Sequence, residues 1–252
     1  MDILLSNDDG IQAEGLWALY RRFAPSHRLT VVAPDRERSA VGHAITLHLP
    51  IRANVVSLNG VKKAYAVNGT PADCIKLAMT ELLDRKPDLV VSGINPGANV
   101  GVNINYSGTL AAAREAALYG IPAIAVSIQG NAPEFYDDAA AFVEGLAQKV
   151  EQHGLPKGTL LNVNIPDLPL QRLKGIRLSR QGSEHFKEGM EKRVDPRQRT
   201  YYWYGIYTPE PEGDADVDSV ALADAHISIT PLRCDTTDYD HLDTLKTWDI
   251  SI

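Results

Sequence analysis

Short, almost wholly apolar runs recur along this chain with helix-length segments between them, and that alternation constrains the fold more than any other feature. Residues 2–6 read as a first strand, and LTVVAPD (29–35), PDLVVSGIN (87–95) and IPAIAVSI (121–128) as three more, with GTLLNVNIP (158–166) supplying a fifth. A strand covered by helices on both faces has no solvent side, so it carries no polar alternation. Between these runs, the segments 13–24, 71–84, 109–119 and 137–153 carry helical periodicity. Apolar strands alternating with helices predict an α/β chain built on a parallel, doubly wound sheet.

Beyond about residue 170 the texture changes. RTYYWYGIY (199–207) alternates, is rich in aromatics and predicts an antiparallel hairpin strand, while AHISITPL (225–232) predicts another strand. TPEPEGDADVDS (208–219) is acidic and full of turn formers, so a solvated loop is expected there. The expected organisation is a core over 1–170 and a C-terminal extension with the hairpin over 171–252. An exposed hairpin invites pairing with another chain, which suggests an oligomerisation arm.

With 252 residues the chain can bury a sizeable core. Its formal net charge of −7 argues against a nucleic acid polymer as main partner, because such proteins usually present a basic face. No apolar run reaches the ~18–20 residues of a membrane span. The first residues, with Asp2 inside a strand pattern, lack the basic region of a signal peptide. Cys74 and Cys234 are too few for a disulfide framework or a thiolate metal site and read as reduced packing residues. A cytoplasmic location is expected.

In an open parallel sheet, ligands bind beyond the carboxyl ends of the strands. The first strand ends in Asn7-Asp8-Asp9-Gly10, the second in Ala33-Pro34-Asp35 and a polar loop through Ser39, and the third in Ser92-Gly93-Ile94-Asn95. Adjacent carboxylates repel, and a shared hard cation such as Mg²⁺ or Mn²⁺ would neutralise them among hydroxyl and carboxamide oxygens. The competing reading is that Asp8 or Asp9 simply caps the following helix. Ser107, Gly108 and Thr109 open an Ala-rich helix, where free N–H groups and the helix dipole favour an anion such as phosphate, although Ser107 also reads as a plain cap. VNGTPADC (67–74) reads as a helix start, with Thr70 as cap, Pro71 in the first position and Asp73 in the first turn. His43, His48 and His185, and the loop residues Arg36 and Arg38, read as structural or solvated groups. The chain lacks the nucleophile elbow of α/β-hydrolases, the phosphate-binding loop of P-loop ATPases and the glycine fingerprint of dinucleotide-binding proteins.

Five stretches in order, ILLSNDDG, VVAPDRERSAVGHAIT, VNGTPADC, PDLVVSGINPGANVG and YSGTLAAAREA, resemble the SurE (survival protein E) family of metal-dependent phosphatases acting on nucleoside 5′- and 3′-monophosphates. The resemblance runs from residue 3 to about 126 and resumes more faintly at LLNVNIP and HISITPL. It implies a Rossmann-like core, a C-terminal extension exchanged between subunits of dimers or tetramers, and one divalent cation per subunit. The implied metal ligands are Asp8, Asp9, Ser39 and Asn95, with Asn99, Ser107, Gly108 and Thr109 on the phosphate side. Asp8 or Asp9 would serve as base for an attacking water or as the nucleophile itself. Two alternatives stand beside this reading. One is a non-catalytic nucleotide-binding stress module. The other is a metal-dependent deacetylase of the His-Pro-Asp-Asp type, against which Ser6-Asn7 precedes the pair here.

Overall fold

The apolar runs do meet in one sheet. The structure, a computed structural model, describes residues 1–58, 60–183, 187–207 and 211–251. His185 and residues 208–210 of the acidic loop lie outside the described residues. The chain begins with β1 (Asp2–Ser6), α1 (Glu14–Phe23) and β2 (Arg28–Pro34), followed by β3 (Ala53–Leu58), β4 (Val61–Val67) and α2 (Pro71–Leu77). Next come β5 (Leu89–Pro96), α3 (Gly108–Leu118), β6 (Ala123–Ile128), α4 (Tyr136–His153) and β7 (Thr159–Ile165). The remaining elements are β8 (Ile176–Leu178), β9 (Lys187–Val194), β10 (Thr200–Tyr207), α5 (Asp218–Ala223), β11 (Ile227–Arg233) and α6 (Tyr239–Leu245).

Nine strands form one sheet in the order β3-β4-β2-β1-β5-β6-β7-β11-β8. The six from β4 to β7 run parallel, β3 is antiparallel to β4, and β11 is antiparallel to β7. Two hydrophobic clusters cover the faces. Leu16, Trp17, Leu19 and Phe23 of α1 join Val143 and Ala147 of α4 on one side, while Ile75 of α2 joins Leu110, Ala113 and Ala116 of α3 on the other. This is the doubly wound α/β arrangement expected from the run pattern. The chain builds leftward from β1 to β2 and β4, then crosses to β5 on the other side of β1, so the topological switch point lies between β1 and β5.

The hairpin β3–β4 was not anticipated from the sequence, although Asn59-Gly60 between two apolar segments is a hairpin signal. Two predicted C-terminal strands are present, with different fates. β11 joins the main sheet between β7 and β8, whereas, among the described residues, β10 pairs only with β9 in a separate two-stranded ribbon. Both cysteines are free thiols, and Cys74 is fully buried. Among the described residues, no helix is long and apolar enough to cross a membrane.

Candidate active site

At the end of β1 the four residues Asn7-Asp8-Asp9-Gly10 divide the work. Asn7 is fully buried and closes the turn on itself: its Nδ2 donates to the Gly10 carbonyl at 3.0 Å, and its Oδ1 accepts the Gly10 N–H at 3.2 Å. Gly10 has φ +100, and a Cβ there would lie 3.0 Å from the Arg36 backbone, so only glycine fits comfortably. The flanking pair is therefore structural and presents the two carboxylates. Neither aspartate caps α1, whose N-cap is Ala13 with no side-chain hydrogen bond.

Asp8 is 4 % exposed, and its Oδ1 accepts the Thr109 hydroxyl at 2.6 Å. Gly108 packs against it so closely that a Cβ would fall 2.7 Å from the Asp8 Cβ. Burial pushes the Asp8 carboxyl above its ordinary range despite the Thr109 hydrogen bond. Asp9 has a buried Oδ2 with no hydrogen-bond partner among the described residues. Burial, then the neighbouring Asp8 and Glu37 carboxylates, push it up to about 7. Two desolvated carboxylates, one with an open oxygen, form a site suited to a cation.

The remaining predicted residues come from β5 and two loops. Asn95 follows a register shift in β5, and its Nδ2 donates to the Pro96 carbonyl at 3.1 Å and the Gly97 carbonyl at 2.7 Å. That leaves its amide oxygen without a hydrogen bond among the described residues. Ser39 donates to Glu37 Oε1 at 2.6 Å. Asp8, Ser39, Asn95, Asn99 and Ser107 all line one cavity of about 590 Å³. Gly108 and Thr109 stand behind Asp8 instead, with the Thr109 side chain fully buried. Ser107 caps α3 by accepting the Leu110 N–H at 3.2 Å, and it still borders the cavity, so the capping and lining roles coexist. Among the described residues, no cluster of three or more His, Cys, Asp or Glu side chains forms. Neutral oxygens would therefore complete any ligand set with Asp8 and Asp9, as the hydroxyl of Ser39 and the carboxamide of Asn95 can.

Several supporting residues escaped the sequence reading. Asn99 is clamped from behind: its N–H donates to Asn164 Oδ1 at 2.8 Å, its side chain donates to Ser127 Oγ at 2.8 Å, and its carbonyl accepts from Asn162 at 2.8 Å and Asn164 at 3.1 Å. Asp218, distant in sequence, accepts the Gly101 N–H at 2.9 Å and the Gly182 N–H at 3.0 Å. The loop carrying Ser39 is pinned by His43, 2.8 Å from Glu115, and by Thr46, whose hydroxyl donates to Asp73 at 2.6 Å. Asp73 also completes a capping box with Thr70 at the helix start expected there. Arg38 donates to the Asn68 carbonyl at 2.7 Å, a structural engagement, while Arg36 and His48 are exposed. The only signal of these partners in the sequence is the polar Asn162-Val163-Asn164 alternation inside an otherwise apolar strand.

These features make a doubly wound α/β protein with paired, desolvated carboxylates at its switch point. Residues 3–188 match the family model described as "Survival protein SurE". The chain belongs to the SurE family. It is 54 % identical to "5′-nucleotidase SurE" of Desulfatibacillum aliphaticivorans over 251 residues, covering 99 % of both chains. It is 48 % identical to the protein of the same name from Syntrophobacter fumaroxidans over 250 residues, covering 99 % of this chain and 100 % of that one. The crystal structure of the SurE protein from Aquifex aeolicus superimposes with a TM-score of 0.87 at 38 % identity, covering 98 % of each chain.

Proposed function

We propose that this protein is a metal-dependent 5′-nucleotidase, hydrolysing nucleoside 5′-monophosphates, and 3′-monophosphates as well, to nucleoside and phosphate. The observation that carries the metal-dependent chemistry is the open, buried Asp9 oxygen beside the desolvated Asp8 at the switch point. The names of the full-length relatives support the substrate class and favour hydrolysis over the binding-module and deacetylase readings. Asp8, Asp9, Ser39 and Asn95 would hold one Mg²⁺ or Mn²⁺ ion, both of which suit oxygen donors. Bound there, the cation supplies Lewis-acid polarisation of a phosphoryl oxygen and activation of water.

The chain's own groups do the rest. Asn99 and the Ser107 hydroxyl border the cavity and would receive the phosphate beside the N-terminus of α3, where the helix dipole favours negative charge, while Gly108 and Thr109 hold Asp8 from behind. Asp8 already spends Oδ1 on Thr109, so Asp9 is the carboxylate with capacity left to take a proton from the attacking water. Trapping of a phosphorylated aspartate would replace this water mechanism with a covalent one.

The same reading includes a cytoplasmic homodimer or homotetramer in which residues 1–170 form the catalytic core and 171–252 the assembling extension. Support for assembly comes from the β9–β10 ribbon, which leaves Met190, Tyr202 and Trp203 about 60 % exposed.

Phosphate release from a panel of nucleoside monophosphates, with chelated protein and with added Mn²⁺ or Mg²⁺, tests the function. Turnover should return with metal and vanish in Asp9→Asn. The variant should also lose the metal-induced rise in melting temperature, which for the wild type corresponds to about 2.7 kcal/mol at a hundred times Kd. Absence of release from every nucleotide under both metals would refute the nucleotidase reading.

A further inference from the structure

The cavity that exposes Asp8, Asn95 and Ser107 is also lined by two tyrosines from unrelated parts of the chain. Tyr106 immediately precedes the Ser107 cap, and its backbone is fixed by its N–H to the Asn103 carbonyl at 3.0 Å and its carbonyl to the Gly42 N–H at 2.9 Å. Tyr204 arrives nearly a hundred positions later, on β10, opposite Met190 in the ribbon register. Both border the cavity and remain 59 % and 54 % exposed. Ala40, Pro96 and Ala98 add apolar wall. At about 590 Å³ the space far exceeds what a phosphate group needs and falls within the ~300–1,000 Å³ typical of sites for whole small molecules.

We propose that Tyr106 and Tyr204 form the nucleoside-binding part of the site, stacking on the base of the substrate while its phosphate lies at Asp8 and Ser107. The inference rests on the nucleotidase reading and assigns the residues that recognise the leaving nucleoside. Every base offers a π-face, so stacking of this kind tolerates all of them and grades them by ring area instead of by hydrogen-bonding pattern. The ribbon thereby contributes to substrate selection, because Tyr204 reaches the cavity only by way of β10.

Two measurements on wild type, Tyr106→Ala, Tyr204→Ala and Tyr204→Phe test the assignment. The first is equilibrium binding of adenosine, which carries the base and no phosphate, by calorimetry with Mn²⁺ present. The second is the ratio of kcat/KM for adenosine 5′-monophosphate over ribose 5-phosphate, which shares the phosphate and ribose and lacks the base. Each alanine variant should weaken adenosine about tenfold and lower the ratio by a similar factor, the scale of one lost stacking contact. Tyr204→Phe, which keeps the ring, should recover most of the adenosine affinity that Tyr204→Ala loses. Unchanged adenosine affinity in either alanine variant overturns the assignment, as does an unchanged ratio in both. If wild type hydrolyses neither ester, the nucleotidase reading falls, and the adenosine titration alone still decides the role of the two rings.

Discussion

Thr109 holds one oxygen of Asp8 at 2.6 Å, whereas Asp9 keeps a buried oxygen with no hydrogen-bond partner among the described residues. That asymmetry between neighbours arises from what α3 presents to each. The helix begins with Gly108 because nothing larger fits: a Cβ would fall 2.8 Å from Asp8 Oδ2. Gly108→Ala must therefore displace either the helix start or the carboxylate. We expect about 1–3 kcal/mol of destabilisation in chemical denaturation from this overpacking. Mn²⁺ affinity should weaken in parallel, because the displaced group is one of the proposed ligands. Wild-type stability together with wild-type Mn²⁺ binding would show that the close contact is not fixed. At this scale the sequence was legible wherever the signal was local. Paired aspartates at a strand tip are visible in one line of text, and so are the Thr70-Pro71-Asp73 helix start and the Ser107 cap. The partner of Asp8, a threonine 101 positions away, is not.

At the scale of elements, two loops bring residues to the cavity, and the only regular structure within them among the described residues is a short 3-10 turn at Gly101–Asn105. Residues 97–106 lean on buried side chains of β6 and β7 and on Asp218, which is fully buried on the short helix α5. Removing that carboxylate by Asp218→Ala leaves the N–H groups of Gly101 and Gly182 without their acceptor. The expected cost is about 1–3 kcal/mol, and limited proteolysis within 97–106 should accelerate. The second loop, carrying Ser39, is tied through Asp73 and Glu115. Burial alone would raise both carboxyls, yet hydrogen bonds from Thr46 and Thr70 to Asp73, and from His43 and Lys76 to Glu115, hold them below their ordinary values of 3.8 and 4.5. A carboxyl lowered on folding contributes stability that is present above its unfolded value and is lost as pH falls through its folded value. Melting temperature should thus drop on acidification from pH 4.5 downward, and less steeply in Asp73→Asn than in wild type. Equal slopes would remove Asp73 from the acid response. Such clamps cannot be read from a sequence, since an asparagine in a strand or an aspartate in a short helix has no local pattern that names its partner.

For the molecule as a whole, the β9–β10 ribbon is the part its own packing explains least. Tyr201 and Trp203 lie on one face and Tyr202 and Tyr204 on the other, and a two-stranded ribbon with exposed aromatics on both faces is marginal by itself. Cover from another copy of the chain would supply the missing core. We expect Tyr202→Ser combined with Trp203→Ser to lower the molar mass seen by light scattering relative to wild type. An unchanged mass would assign the ribbon a role within one chain only.

Legible in the residues alone were the layered α/β class, the apolar strands β1, β2, β5, β6 and β7 with their intervening helices, and the polar strand ends at Asp8, Asp9 and Asn95. These follow from periodicity, composition and capping within a few residues, where physical preferences act on near neighbours. Only the tertiary structure decided that β1 and β5 lie side by side at the switch point, that β11 enters the main sheet antiparallel to β7, that α3 supports Asp8 through Thr109, and that Tyr204 of the ribbon shares the cavity with Tyr106. Each of these depends on which distant surfaces bury each other most completely, a comparison made among whole packings and encoded at no single stretch of chain.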